Sequence, residues 1–304
     1  MGKGNQIGEV DTNDVLNASV MKIIKASAKN CSEVDIMAVK ERLKADPNYK
    51  LYKRRFRFIP KLMTFLSIVA ILQAPSFLFM LAAFAIMYVW IDVYSGILHV
   101  NLDNPNFLSN PVISESVLEF HWHHRFPQDI ATRCFADVCG DLNMLIMIRM
   151  LLLVTLLYSG LVPTSALLCV TGFGVLAGYA NQFGHRSAHQ KASTRHPVAD
   201  FLQRQALLLE PSNHRSHHRH QFNLLVAESK KPLPGQDEKP SDLPAIKQEF
   251  PNGSNFPAFH GLTSDFLQSV LVALPYENLW LAAFVVFTVI DLPVIAYVLS
   301  NLPI

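Results

Sequence analysis

Charged residues are scarce in this chain: lysine, arginine, aspartate and glutamate make up 16% of its 304 residues. Hydrophobic residues make up 50%, a balance too apolar for an ordinary soluble protein. The formal net charge of +2 excludes a strongly basic nucleic-acid-binding protein. The composition therefore predicts an integral membrane protein with polar flanks and no nucleic-acid partner.

Several common functional patterns are also missing. The four cysteines show neither a zinc-site spacing nor a C-x-x-C pair, so nothing calls for an oxidising compartment. The chain contains no G-x-S-x-G motif of a serine hydrolase. Its N-terminal region lacks the early apolar core of a secretory signal and carries acids at Glu9, Asp11 and Asp14, which are rare in a transit peptide. We therefore expect neither kind of signal.

The apolar sequence falls into five predicted helices. Pro75 divides the first stretch, and the turn sequence YSGLVP at residues 158–163 divides the second. The helices are expected at about residues 59–73, at 76–99, on either side of that turn within 144–183, and at 279–299. Several are shorter than the ~20 residues of a full span. We expect an all-α integral membrane fold with four to five transmembrane helices.

The chain divides into four predicted regions. Residues 1–56 form a polar N-terminal region with an amphipathic helix at 32–47, and residues 57–226 form the main membrane domain. Residues 227–255 are rich in proline and lysine and are expected to be a disordered insert. Residues 256–304 complete the membrane domain with its last helix.

Lysine and arginine placement predicts the orientation. A basic run at residues 50–61 precedes the first apolar helix, whereas the turns at 73–76 and 158–163 carry no charge. The positive-inside rule then places the N-terminus and the segments after the second and fourth helices in the cytoplasm. All twelve histidines fall in those segments.

Most of the histidines form four clusters. His99 and Asp103 are four residues apart, as are His185 and His189. The other two clusters are HWHH, with His121, His123 and His124, and HRSHH, with His214, His217 and His218. Residues three and four apart share one face of a helix, so each cluster aims its ligands at one point. Of these nine histidines, the clusters can furnish eight imidazoles together with a carboxylate. That number exceeds the four ligands of one zinc ion and suits two transition metals, for which iron is appropriate.

Two less specific explanations compete with a metal centre. A lone histidine near the membrane, such as His196 or His260, is usually a hydrogen-bonding interfacial residue. A histidine-rich surface can also bind zinc without catalysis. Against these, ionisable residues at the membrane edge are costly to keep and indicate function by default. The glycine pattern GFGVLAG at residues 172–178 lies inside an apolar helix, so close helix packing explains it better than nucleotide binding.

The four clusters together resemble the Kua-type lipid desaturases. That family includes plasmanylethanolamine desaturase, bacterial CarF and a plant desaturase of phosphatidylglycerol acyl chains. The resemblance covers roughly residues 88–226 and is carried by four motifs: DVYSGILHVNLDN, HHRFPQDIATR, NQFGHRSAH and LQRQALLLEPSNHRSHH. Asn213 and the insert at 227–255 depart from the family pattern.

The resemblance implies a membrane oxidoreductase with two non-haem iron ions. The implied metal ligands are His99, Asp103, His123, His124, His185, His189, His214, His217 and His218. Asp103 is the implied catalytic carboxylate. The resemblance further implies O2, a phospholipid substrate and a cytochrome b5 type electron donor.

The chemistry of the product stays open between two outcomes. The enzyme could form a vinyl ether from a plasmanylethanolamine, or a double bond in a phospholipid acyl chain. A lipid hydroxylase with the same metals and a non-catalytic zinc-binding scaffold are the alternatives. Since a transit peptide is not expected, we place the protein in the endoplasmic reticulum with its site facing the cytoplasm.

Overall fold

The computed structural model describes residues 56–102, 107, 113–125, 127–215, 218 and 277–303. The chain divides into two compact units, one of residues 1–55 with 102–122 and the other of residues 56–101 with 123–304. The described residues are helical or lie in turns and short loops, without a strand, so the prediction of an all-α fold is confirmed. The predicted amphipathic helix at 32–47 and the insert at 227–255 lie outside the described residues.

The described part of the chain contains a series of α-helices with short connections. In chain order they are α1 (Phe58–Ile71), α2 (Phe77–Leu102), α3 (Ser114–Arg125), α4 (Gln128–Thr132), α5 (Phe135–Gly140), α6 (Asn143–Ser159), α7 (Thr164–Ala188), α8 (Pro197–Arg204) and α9 (Glu277–Ser300). Residues 211–215 are also helical. Within the first unit, the described residues are 102, 107 and 113–122, which include most of α3.

Three helices are long and apolar enough to cross a membrane. The spanning segments are Phe77–His99 in α2, Thr164–Ala188 in α7 and Leu281–Ser300 in α9. The apolar helices α1 and α6 are shorter. Large apolar side chains on α1, α6 and α9 are exposed, as expected for surfaces that face lipid. The fold is that of an all-α membrane protein, with two of the five predicted apolar helices below spanning length.

The helix breaks lie where the sequence predicts them. The first apolar stretch is interrupted on both sides of Pro75, and α2 begins with a hydrogen bond of 2.9 Å from the Phe79 amide to the Ser76 hydroxyl. Gly160 ends α6 in the left-handed conformation, with φ of 66°. A residue without a Cβ adopts that conformation without strain, which is why a glycine stands at this turn.

Helix α7 is the centre of the second unit and packs against α1 and α9. A Cβ added at Gly172 would lie 2.6 Å from the Ser67 carbonyl oxygen of α1, so only glycine fits there. A Cβ at Gly174 would lie 3.0 Å from Leu292 of α9. The interpretation of the glycine pattern as close helix packing is therefore confirmed at these two positions.

A buried ion pair connects α6 to α9 within the apolar part of the second unit. Arg149 donates to the Asp291 carboxylate at 2.5 Å, and the Trp90 indole on α2 donates to the same oxygen at 3.0 Å. The Arg149 guanidinium also lies over the ring of Tyr94, 4.7 Å from its centroid. These contacts join three helices and hold α2, which carries His99 in its last turn.

Candidate metal centre

Histidines converge from three helical segments of the second unit. His123 lies in the last turn of α3, and His185 and His189 lie one turn apart at the end of α7. His214 belongs to the helical residues 211–215, and His218 lies one turn further on. The spacing of four residues puts the second imidazole of each pair directly beside the first. Local helix geometry thus explains why each pair points at one place.

The five imidazoles meet through their Nε2 atoms. From His123 Nε2, the Nε2 atoms of His185, His189 and His218 lie at 2.7, 3.1 and 3.1 Å. His214 Nε2 is 2.6 Å from that of His189 and 3.0 Å from that of His218. All five candidate ligand atoms lie within 4.8 Å of one another. Among the described residues, this is the group of side chains that could hold a metal ion.

Hydrogen bonds between the rings cannot account for this convergence. A ring nitrogen carries either one proton or one lone pair, yet His123 Nε2 has three close nitrogen neighbours. Two imidazole nitrogens bound to one ion at ~2.1 Å, and at right angles to each other, would lie about 3 Å apart. The observed separations match that value. The donor set therefore fits a transition-metal cation.

The pKa values of the cluster histidines are lowered, and this direction favours metal binding. Burial and the neighbouring His185 and His189 lower the pKa of His123 well below its usual value. Burial, followed by the proximity of His218, lowers the pKa of His189 to about 3. Burial and His99 lower the pKa of His218 to about 4. These imidazoles are neutral at physiological pH, and the neutral ring is the form that binds a metal.

Two of the predicted ligands lie beside the five-histidine cluster. The His124 ring centroid is 4.7 Å from that of His218 and 5.7 Å from that of His123. His99 is buried, and it lies close enough to lower the pKa of His218. The remaining two, Asp103 and His217, lie outside the described residues. The structure thus brings five of the predicted ligands together and places two more next to them.

A second layer of side chains holds the cluster in place. The Gln203 amide, which is 2% exposed, donates to the Gly184 carbonyl at 3.1 Å and to the Leu209 carbonyl at 2.9 Å. Arg195 donates to the carbonyls of Ser187 and Gln190 at 3.1 and 3.2 Å. Both side chains bond the backbone beside His185 and His189. Such supporting contacts fix the direction in which a ligand points.

Sequence reasoning identified the histidines but not this supporting layer. Gln203 stands within the LQRQALLLEPSNHRSHH motif, and its four-residue spacing from the buried Ala199 is the signal that marks the inner face of α8. His196 has the local role expected for a lone histidine. Its Nδ1 accepts from the Val198 amide at 3.2 Å and caps α8, and its ring contacts Phe183.

Comparisons with known proteins agree with this centre. Residues 88–226, which contain all the predicted ligands, match the family model of the lipid desaturase domain. This segment of the chain is therefore similar to the lipid desaturase domain. It is 32% identical over 136 residues to fatty acid desaturase 4, chloroplastic, of Arabidopsis thaliana. It is 28% identical over 140 residues to fatty acid desaturase 4-like 1, chloroplastic, of the same plant.

The likeness to these desaturases is confined to part of each chain. It covers 45% of this chain in both comparisons, and 41% and 44% of the two relatives. The residues that match the lipid desaturase family model include all five histidines of the cluster. No solved structure matches the chain.

Proposed function

We propose that this protein is a membrane-bound, non-haem di-iron lipid desaturase that uses O2 to introduce a double bond into a chain of a glycerophospholipid. The convergence of five neutral imidazoles at helix ends within a lipid desaturase domain carries this proposal. The desaturase names of the two relatives support the reaction class.

Iron is proposed because of the chemistry that the reaction demands. Removing hydrogen from an unactivated carbon is beyond acid–base side chains, and bound iron with O2 supplies the oxidation. The chain's own residues have other tasks. The five histidines hold the ions, and Gln203 and Arg195 fix the direction of the α7 ligands. Burial lowers the pKa of His189, so its ring is neutral and available to bind an ion.

Two ions are proposed because the ligand set is larger than one ion needs. The nitrogens of the five-histidine cluster occupy the space around one position. His99 and His124 lie beside it, and we propose that they bind the second ion together with His217 and Asp103. Asp103 is proposed as the catalytic carboxylate of this second position.

The membrane domain is proposed to include residues 57–226 and the C-terminal region 256–304. Its support is the packing of α7, which contacts α1 at Gly172 and α9 at Gly174. Residues 1–56 and the insert at 227–255 are proposed as separate regions. The domain therefore extends beyond the residues that match the family model.

The proposed partners are a phospholipid, O2 and an electron donor of the cytochrome b5 type, since the oxidation of a lipid by O2 requires further electrons from outside the chain. We propose that the centre faces the cytoplasm, because the positive-inside rule puts the basic run before α1 there, and crossings by α1, α2, α6 and α7 would return the histidine-bearing ends of α2 and α7 to the same side. The proposed membrane is the endoplasmic reticulum, whereas the two relatives are chloroplastic by name. Fractionation of cells that express the chain tests the compartment.

Lipid analysis of cells that lack the chain and of cells that express it again tests the reaction. Expression should produce a phospholipid lighter by two hydrogens. If acid treatment releases an aldehyde from that lipid, the product is a vinyl ether; if the lipid is stable to acid, the double bond lies in an acyl chain. A product heavier by one oxygen would instead make the protein a hydroxylase. An unchanged lipid profile in iron-loaded cells would contradict the proposed function.

A further inference from the structure

Helix α8 lies in the chain between the histidine pair of α7 and the pair of His214 and His218. It has two contrasting faces. Ala199 and Gln203 point inward and are 0% and 2% exposed. Val198 and Phe201 point outward and are 53% and 58% exposed, and the large apolar side chain of Leu207 just beyond the helix is exposed as well. Three outward apolar side chains in ten residues form an unusual surface for a water-facing helix.

Hydrogen bonds to the end of α7 determine how deep α8 lies relative to the membrane. Gln203 donates to the carbonyl of Gly184, and Arg195, just before α8, donates to that of Ser187. Both carbonyls belong to the last turn of the membrane-spanning segment Thr164–Ala188. Helix α8 is therefore held at the level where α7 leaves the apolar layer, which is the interface between lipid chains and water.

The charges around α8 complement a phospholipid surface. Residues 185–215 contain five lysines and arginines against two acids, an excess of three positive charges. Arg195 and Arg204 both pair with Asp200, and the side chain of Lys191 is exposed. A helix with an outward apolar face and neighbouring cations is the type that lies in the headgroup region of a bilayer.

We propose that α8 lies in the plane of the bilayer interface, with Val198, Phe201 and Leu207 among the lipids and the neighbouring cations at their phosphates. His189 and His214 flank this segment in the chain and belong to the metal centre. The lipid layer that contacts α8 is then the one from which a phospholipid enters the site sideways. This second statement rests on the proposed desaturase function and adds the route by which the phospholipid reaches the site.

Fluorescence quenching tests the position of α8 in the intact protein. The Phe201→Trp variant is placed in nanodiscs of phosphatidylcholine and phosphatidylglycerol, with and without bromine on the acyl chains, and the signal of the three native tryptophans is subtracted. Leu151→Trp on α6, where Leu151 is 71% exposed among lipid-facing residues, is the positive control. We expect brominated lipid to quench the new tryptophan to at least about half the extent of the control, with little quenching by aqueous iodide.

Quenching by iodide and not by brominated lipid would overturn the proposal. The proposal would also be overturned if Phe201→Trp were protected from iodide only after a soluble electron-donor protein is added. The outward face of α8 would then be a protein-binding surface. Neither result depends on catalysis.

Activity at limiting substrate tests the entry route. Phe201→Asp should lower product formation about tenfold at a low mole fraction of substrate lipid, since the charge opposes insertion, and less at a high fraction. Phe201→Leu should restore it, and iron content should be unchanged. Tyr158→Asp, at an exposed position in the last turn of α6, should have no such effect. Equal activity of Phe201→Asp and wild type at every lipid fraction would contradict the route. If brominated lipid quenches the Phe201→Trp variant but the wild-type protein is inactive, the desaturase function is refuted. The proposed position of α8 is still supported in that case.

Discussion

At the residue scale, His189 is a decisive member of the cluster because its Nε2 contacts those of both His123 and His214. We predict that His189→Ala lowers the iron content of the purified protein by more than half and abolishes product formation. The measurement is elemental analysis of the protein in nanodiscs, together with lipid mass spectrometry. The alanine removes a nitrogen donor from the centre of the ligand set.

His196→Asn is the matched control for His189→Ala. Asparagine replaces the α8 cap that His196 supplies, and His196 lies outside the five-histidine cluster. Its iron content and activity should equal those of the wild type. Equal losses in both variants would show that histidine removal harms the fold in general and would contradict the ligand assignment.

Gln203 acts on the centre through the backbone. We predict that Gln203→Leu lowers iron affinity by about 10- to 100-fold, since the carbonyls of Gly184 and Leu209 lose their donor and the end of α7 can shift. Titration with a competing chelator measures the affinity. The exposed Gln205 provides the control Gln205→Leu, which should bind iron like the wild type. If the two variants bind iron equally, Gln203 has no positioning role.

At the scale of single residues, the sequence predicted best those positions whose residue type and spacing indicate a particular chemistry. Histidines at i and i+4 share one face of a helix, so the convergence of His185 and His189 could be predicted from their spacing. Gln203 gives no such signal, since a glutamine in an amphipathic segment is usually solvated. Its role depends on two carbonyls that only the fold brings to it.

At the element scale, the buried pair of Arg149 and Asp291 holds α6 and α9 together. We predict that Arg149→Leu destabilises the protein by about 3–5 kcal/mol, because it leaves the Asp291 charge buried without its partner. Combining it with Asp291→Asn should recover most of this loss, since the amide oxygen is neutral and can still accept from Trp90. Thermal unfolding in detergent measures the difference.

The more exposed pair of Arg133 and Asp141 provides the comparison. Arg133→Leu should cost about 1 kcal/mol or less, because water screens both charges. If the double variant at Arg149 and Asp291 were as unstable as Arg149→Leu alone, the buried charge would not be the cause.

Helix boundaries followed from the sequence where a residue dictates them chemically. Pro75 and Gly160 mark breaks that backbone geometry makes hard to avoid, and both were placed correctly. Helix α8 was not predicted, since eight residues are too few for a clear helical period. The pairing of Arg149 with Asp291 was also beyond sequence, because the two residues are 142 positions apart.

At the scale of the whole molecule, the lowered histidine pKa values link stability to pH. The pKa is about 3 for His189 and about 4 for His218 in the folded chain, against ~6.5 for an imidazole in an unfolded chain. Between these values the unfolded chain binds more protons. The metal-free protein should therefore lose stability as the pH falls from about 6.5 towards about 4.

Unfolding temperatures of chelator-treated protein across this pH range measure the effect. A double variant, His189→Gln with His218→Gln, should show a shallower dependence because two of the titrating groups are gone. An unchanged slope in the double variant would contradict the burial of neutral imidazoles at these positions.

The overall class of the molecule was predictable because composition and motif order both constrain it. Half of the residues are apolar, and the four histidine motifs lie within the residues that match the lipid desaturase family model. The arrangement of the ligands around one position was not predictable, since it depends on how the ends of α3 and α7 meet residues 214–218.

A single-turnover experiment tests the central claim, that iron at the five-histidine cluster desaturates a membrane phospholipid. Purified protein in nanodiscs of the candidate lipid is loaded with iron, reduced chemically and exposed to O2. The molecular mass of the lipid is then measured by mass spectrometry. We expect a lipid lighter by two hydrogens, in an amount limited by the amount of protein. This product should be absent without O2 and absent with the His189→Ala variant. An iron-loaded wild-type protein that leaves each candidate lipid unchanged would contradict this expectation.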